Sequence, residues 1–469
     1  MRSCALAIAA ILLVAPIRAQ QPNTLPADLA AKVDAAISDV MAKTQVPSAS
    51  VGIVRDGRVA YVRAFGKARL SPPLAASPEM RYAIGSISKQ FTVAAVMMLV
   101  QDGRMSIDDP VSKWFPELTR ANEVTVRNLM SHTSGYEDYA PQDYTIPAWT
   151  KPTTAHAIVQ EWATKPLDFE PGTQYQYSNT NFNIVGLIVE KVSGQPFWSF
   201  LKSRVLDPVG LKETIDLDTQ HNLLEPTGYF RYALGPLRPA VMEAQGWYFA
   251  DGELAMPVSD LLTWNLSMID ESLLQHSSYA AMETATRLKN GREIGYGLGL
   301  SVGDWNGHHL VSHTGEVGGF VASNAVVLDQ KFAVAVLTNQ EASPAASAIS
   351  RAIATALLGS ASAPSDDSAA AESLVSRVLA SLQKGSIDRS LFTPNANFYF
   401  SQQGLDDFAS SLRPLGDITT LRQTATSLRG GMRYRGFAVE FSSGTRVTLS
   451  TYFTSDGKIE QFLVEPVGQ

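Results

Sequence analysis

Strand signals at both ends of the first 358 residues, with a long helical stretch between them, constrain the fold more than any other feature of this chain. Ala27 to Lys43 carries Leu29, Val33, Ile37 and Val40 at spacings of three and four, the pattern of an amphipathic helix. Two strand-like runs follow, Ala49 to Arg55 and Arg58 to Phe65. They are joined by Asp56-Gly57, a dipeptide suited to the left-handed turn of a tight hairpin. From Ser86 onward helical patterns dominate, with starts at Asp108-Asp109-Pro110 and at Val126. Strand signals return at Tyr296 to Val302, His308 to His313, Phe320 to Leu328 and Phe332 to Thr338, and Ala345 to Leu358 reads as an Ala-rich helix. The order predicts an α+β domain over residues 27–358, whose single sheet draws strands from both ends and carries the helical block as an insertion.

Residues 359–372 are nearly all Ser, Ala, Asp and Pro, which cannot build a core and read as a linker. Beyond it, residues 373–469 give a helix, a second short helix near Leu405 to Leu412, and four strand-like runs from Thr419 to Val464 with Gly430-Gly431, Ser443-Gly444 and Asp456-Gly457 between them. This is a separate small α+β domain, and it resembles nuclear-transport-factor-2-like folds. At the other end, Arg2, the apolar run Cys4 to Ile17 and the small residue Ala19 have the layout of a cleaved signal peptide over residues 1–19. That run is too short to span a bilayer, so the expected destination is the periplasm or the exterior, with no membrane span in the mature chain. Cys4 is the only cysteine and would leave with the leader, which excludes disulfides, thiolate metal sites and cysteine nucleophiles. Cleavage takes the formal charge from −7 to −9, and no Lys/Arg cluster with interleaved aromatics occurs, so nucleic acid is excluded as a partner.

The chemistry centres on Tyr82-Ala-Ile-Gly-Ser-Ile-Ser-Lys-Gln-Phe-Thr92. Ser86 follows a glycine at the start of a helical run, and Lys89 three residues on shares its face. A serine hydroxyl needs a neighbouring base to act as a nucleophile near neutral pH, and a lysine amine can supply one. The same spacing recurs at Ser199/Lys202 and Ser381/Lys384, so spacing alone decides nothing. Two further signals occur once each. Tyr177-Ser178-Asn179 sits in a loop before a helix, and His313-Thr314-Gly315 is read as ending a strand.

The order and placement of the three motifs resemble the serine β-lactamase and penicillin-binding protein superfamily, in its class C-like branch of β-lactamases, D-stereospecific peptidases and esterases. His132-Thr133-Ser134-Gly135 and Gly318-Gly319-Phe320 are also similar to stretches of that family. The resemblance covers roughly Ala27 to Leu358 and implies an antiparallel sheet flanked by the N- and C-terminal helices, with the inserted helical subdomain. It implies an acyl-enzyme on Ser86, with Lys89 and Tyr177 sharing acid–base work and Asn179 orienting lysine and substrate. The backbone N–H groups of Ser86 and Glu316 would form an oxyanion hole, with His313, Thr314 and Gly315 contacting substrate. No metal or organic cofactor is implied, and the partner would be a small molecule or peptide with an ester, amide or lactam carbonyl.

One departure matters. Lysine is usual in the third motif, and His313, with a reference pKa near 6.5, offers less charge to a substrate carboxylate. The expectation therefore tilts to an esterase or peptidase. A true β-lactamase or D-alanyl-D-alanine carboxypeptidase is the alternative, and a non-catalytic binder of cell-wall or acyl ligands is the alternative of another class. His308 and His309 read as rim residues and His132 as loop structure. Tyr229, Phe230, Trp247, Tyr248 and Phe249 read equally well as pocket wall or packing.

Overall fold

The computed structural model describes residues 24–359, 369–429, 432–454 and 457–467. The signal-peptide reading over residues 1–19 lies outside them, as do most of the linker and the turn residues Gly430, Gly431 and Asp456.

Helix α1 (Ala27–Thr44) is followed by strands β1 (Ser48–Arg55), β2 (Arg58–Arg69) and β3 (Leu74–Ala75). Asp56 and Gly57 both take positive φ, at 52° and 70°, which closes the β1–β2 hairpin as its Asp-Gly sequence predicts. After the helical block come β4 (Ser301–Trp305), β5 (His308–Val317), β6 (Phe320–Val327), β7 (Phe332–Thr338) and the closing helix α4 (Ala345–Leu358). Among the described residues the main sheet has seven strands in the order β3-β2-β1-β7-β6-β5-β4. The pairs β1–β7, β6–β7, β5–β6 and β4–β5 are all antiparallel. The two ends of the domain thus meet at the sheet centre, where Ala49 pairs with Thr338 and Val54 with Ala333.

Both sheet faces are covered, which is why seven of the eight β1 residues are buried rather than alternating. On one face Val33, Ile37 and Val40 of α1 and Ile349 and Ile353 of α4 pack against Val51, Ile53, Val334 and Val336. On the other, the inserted block contributes helix α2 (Ser88–Gln101), whose residues Ser88 to Leu99 are all buried, and helix α3 (Asn179–Ser193).

Four local expectations are corrected. The strand expected over Tyr296 to Val302 begins only at Ser301, because the preceding Gly-Leu-Gly-Leu turns, with Gly299 at φ +72°. Strand β5 does not stop at His313 but runs on to Val317, paired throughout with β6, so the third motif lies inside a strand. Asp108-Asp109-Pro110 introduces a single 3₁₀ turn, Val111–Lys113, rather than a helix. The final residues of the expected linker, Ala369 to Glu372, are the first turn of a helix, α5 (Ala369–Leu382).

The C-terminal part adds α6 (Pro394–Tyr399), which periodicity does not reveal, and α7 (Gln402–Leu412). They pack on a four-stranded antiparallel sheet of β8 (Ile418–Arg429), β9 (Met432–Phe441), β10 (Arg446–Phe453) and β11 (Ile459–Pro466), in that order. Its own core includes Val375, Leu379, Phe400, Phe408, Phe437, Leu449 and Phe462. No helix among the described residues is long and apolar enough to cross a membrane.

Candidate active site

Ser86 lies in a 3₁₀ turn, Gly85–Ile87, that leads directly into α2. Gly85 takes φ +50°, and a Cβ there would stand 2.6 Å from the backbone nitrogen of Glu316, so only glycine lets this turn sit against β5. One helical turn later Lys89 is fully buried. Its Nζ donates to Ser86 Oγ at 2.9 Å, to Asn179 Oδ1 at 2.7 Å and to the Asp251 carbonyl at 2.8 Å. These contacts compensate much of the desolvation that burying an ammonium imposes. Nζ also lies 5.1 Å from the ring centre of Tyr177 and 5.3 Å from that of Phe182.

Asn179 opens α3 and is itself fixed. Its backbone N–H donates to Asp138 Oδ1 at 2.9 Å and its Nδ2 to the Ala140 carbonyl at 3.2 Å, which orients Oδ1 towards Lys89. Tyr177 lies over His132, with ring centres 4.1 Å apart. His132 accepts from the Ser178 N–H at Nδ1 (3.2 Å), and its Nε2 is 3.2 Å from the hydroxyl of Tyr296. That hydroxyl is 2.9 Å from Nε2 of His313, whose Nδ1 donates to the Thr314 carbonyl. Tyr296 was missed in the sequence because its segment reads as strand; the flanking Gly295 and Gly297 were the available signal for a turn instead.

Gly315 also has a packing part. A Cβ at this position would stand 1.8 Å from the Ile84 carbonyl oxygen and 2.9 Å from the Ser86 nitrogen, so its missing side chain seats β5 against the turn that carries Ser86. The other serine–lysine pairs lie elsewhere: Lys202 pairs with Asp207 on the surface, and Ser381 Oγ donates to the Arg377 carbonyl within α5.

Ser86, Tyr177, Asn179, His313, Thr314 and Glu316 line one cavity of about 380 Å³. Trp247 and Tyr248 also line it, whereas Phe249 packs on Phe197, ring centres 5.3 Å apart, and the Tyr229 hydroxyl accepts from the Leu70 N–H. The wall is acidic, with Asp143, Glu243, Asp251, Glu316 and Glu341 all on it. Desolvation raises the carboxyl of Glu341 to about 8, against the pull of its bond from the Gly319 N–H. Desolvation likewise raises Asp251 to about 8, opposed by the charge of Lys89. Glu316 is pushed well above the carboxylate range by desolvation and by Asp143. Among the described residues no cluster of three or more His, Cys, Asp or Glu could hold a metal ion.

Residues 33–358 match the family model described as Beta-lactamase. Penicillin-binding protein 4* of Bacillus subtilis (strain 168) is 26% identical over 304 residues, which cover 61% of this chain and 66% of that protein. A D-aminopeptidase of Brucella anthropi is 28% identical over 301 residues, covering 63% of this chain and 56% of that one. The match thus spans less than two thirds of either relative. Among solved structures, a D-stereospecific amidohydrolase from Streptomyces sp. is similar with a TM-score of 0.60 and 28% identity, covering 71% of this chain and 99% of that one. The octameric penicillin-binding protein homologue from Pyrococcus abyssi shares the fold over 93% of this chain and 99% of its own, with a TM-score of 0.62 at 23% identity.

Proposed function

This chain belongs to the Beta-lactamase family, and from that premise we propose that it is an exported serine hydrolase that acylates Ser86 and hydrolyses amides or esters whose acyl group carries a free amine. The observation that carries the reading is the Lys89 Nζ to Ser86 Oγ contact of 2.9 Å inside a cavity that Tyr177 and Asn179 also line. Ser86 Oγ attacks the carbonyl carbon as its proton passes to the Lys89–Tyr177 pair. The backbone N–H groups of Ser86 and Glu316 take the developing oxyanion, a contact worth roughly 3–4 kcal/mol in the transition state. The same pair protonates the leaving group, and water then attacks the ester of Ser86 to release the acid. For Lys89 to accept a proton it must present a lone pair to Ser86. Asn179 Oδ1 and the Asp251 carbonyl can hold its remaining two N–H groups during that step.

With Asp251, Glu341 and Glu316 held protonated near neutral pH by desolvation, it is Asp143 and Glu243 on the cavity wall that support the choice of substrate class. A substrate ammonium about 4 Å from one ionised carboxylate gains roughly 4 kcal/mol at an effective dielectric near 20, and a substrate carboxylate is repelled by as much. The buried bonds of His313 work in the same direction, since they tie both of its ring nitrogens to the protein. D-aminopeptidase and D-stereospecific amidohydrolase relatives agree with this reading. Export rests on the leader-like first nineteen residues.

The test is intact-mass analysis of the purified protein and of Ser86→Ala after incubation with a penicillin, a p-nitrophenyl ester and D-alanyl p-nitroanilide, with product release followed in parallel. Turnover of the anilide, or an adduct on Ser86 that the variant lacks, is expected. An adduct that persists in Ser86→Ala, or no adduct and no turnover with any of the three, overturns the reading.

A further inference from the structure

One wall of the cavity is held from outside the catalytic domain. Gln142, Asp143 and Tyr144 all line the cavity, and they lie on a loop with no helix or strand of its own between residues 137 and 146. A loop of that kind keeps a defined shape only if bonds from elsewhere hold it. Asn179 holds the loop at Asp138 and Ala140, but at residues 142–144 the bonds come from two consecutive residues of β11, in the C-terminal domain. The Gln142 amide donates to Glu460 Oε1 at 2.8 Å, and the Tyr144 hydroxyl donates to the Glu460 carbonyl at 2.8 Å. Gln461, fully buried, holds Asp143 twice. Its Oε1 accepts from the Asp143 N–H at 2.7 Å, and its Nε2 donates to Asp143 Oδ2 at 3.0 Å. A third bond, from the same Nε2 to Ser450 Oγ at 3.1 Å, fixes the amide from behind. The rings of Tyr144 and Tyr399 meet 4.9 Å apart, and Arg238 pairs with Asp407 beside them at 2.5 Å.

We propose that the C-terminal domain takes part in substrate selection, with Gln461 as the positioning residue that aims the Asp143 carboxylate at the amine of the acyl group. The inference rests on the amine-bearing substrate class proposed above. An amide side chain suits this task because it offers an acceptor to the Asp143 backbone and a donor to its side chain at once, so loop position and carboxylate direction are set together. A hydrophobic residue could pack there but would offer neither the acceptor nor the donor. The domain would then be a built part of the acyl site rather than a tethered passenger.

The experiment compares kcat/KM for two esters with the same leaving group, p-nitrophenyl acetate and p-nitrophenyl D-alaninate, in the full-length chain after subtracting the Ser86→Ala rate. The readout is their ratio, which a general loss of folded protein does not move. Gln461→Ala is expected to lower the D-alaninate to acetate ratio at least fivefold, chiefly through KM for the D-alaninate. Gln461→Glu, which keeps an acceptor but sets a carboxylate against Asp143, is expected to lower it at least as far. Asp143→Asn leaves the C-terminal core intact and should lower the ratio too. Because Gln461 acts through Asp143, the Gln461→Ala/Asp143→Asn double variant should fall no lower than Asp143→Asn alone. Ratios unchanged in the Gln461 variants, or additive losses in the double variant, overturn the proposal while leaving the hydrolase reading intact. A parent enzyme that cleaves the acetate but not the D-alaninate removes the amine reading and this inference with it. One that cleaves neither and takes no adduct on Ser86 removes the hydrolase reading itself.

Discussion

The hydroxyl of Tyr296 lies 2.9 Å from Nε2 of His313 and 3.2 Å from Nε2 of His132, and so joins a strand histidine to a loop histidine behind the cavity. The direction of every proton in this chain follows from its two ends. At one end the Ser178 N–H can only donate, which makes Nδ1 of His132 an acceptor and places that ring's hydrogen on Nε2. At the other the Thr314 carbonyl can only accept, so His313 carries its hydrogen on Nδ1. Tyr296 then accepts from His132 and donates to His313, and every group is satisfied with both imidazoles neutral. A hydrogen on Nε2 of His313 would turn a donor against the donating hydroxyl in a buried place.

Nitrogen-15 NMR of histidine-labelled protein checks this assignment. His132 should show the Nε2–H tautomer and His313 the Nδ1–H tautomer. Tyr296→Phe removes both bonds of the hydroxyl from a buried place, at about 1–3 kcal/mol each. The denaturation midpoint should fall accordingly, and the tautomer preference of both rings should weaken. The opposite tautomer on either ring in the parent protein would contradict the relay.

Gly315→Ala tests the seat of the nucleophile. The added Cβ meets backbone on both sides, the Ile84 carbonyl at 1.8 Å and the Ser86 nitrogen at 2.9 Å, so no side chain can swing away to make room. Strand and turn must separate by an ångström or more, and a displacement of that size costs about 10²-fold in rate. Turnover and covalent labelling of Ser86 should both fall by at least that factor while the far-UV circular dichroism spectrum is retained. Near-parental activity would show that the turn can shift without penalty.

Asn179→Asp tests which state of Lys89 is active. Asn179 Oδ1 accepts from Lys89 Nζ at 2.7 Å, and an aspartate there would keep the contact while adding negative charge. That charge holds the proton on Lys89, so less of the enzyme carries a free lone pair at a given pH. The acid limb of the kcat/KM profile should move to higher pH, with the plateau rate approached only in alkaline buffer. A limb that stays in place would rule out Lys89 as the proton acceptor.

What the sequence revealed and what it hid follow from the range of the interactions. Elements fixed by local pattern were legible: Val126–Met130 and Ala345–Leu358 are helices as their residues suggest, and Phe332–Thr338 is a strand. Where β5 ends was not legible, because Gly315 and Glu316 have poor strand character and are held in the sheet by pairing with Ala322 and Val321 of β6. The nucleophile turn could be read from a glycine, a serine and a lysine within five residues. The partners of Asp143 could not, since Gln461 lies more than three hundred residues away and no periodicity links them. Tyr296 was hidden for the same reason, its role existing only once the loops carrying His132 and β5 are brought together.

The last prediction concerns pH and stability. Asp251, Glu341 and Glu465 each have their carboxyl raised to about 8, and desolvation is the largest cause for all three. Ordinary values are 3.8 for aspartate and 4.5 for glutamate. Between about pH 4 and pH 8, therefore, the folded chain holds protons that the unfolded chain has released. Unfolding releases protons throughout that window, so the free energy of unfolding falls as pH rises. The stabilisation is fully present below the unfolded values and is lost as pH passes through about 8. Glu283, raised by desolvation to about 7, adds to the same slope over a narrower span. The apparent Tm should accordingly be higher at pH 5.5 than at pH 8.5. Glu341→Gln and Glu465→Gln, which keep the shape of each group without a charge to bury, should each reduce the difference, and the double variant should reduce it further. A Tm that rises from pH 5.5 to pH 8.5 would mean that these carboxyls are ionised in the fold and paired with cations.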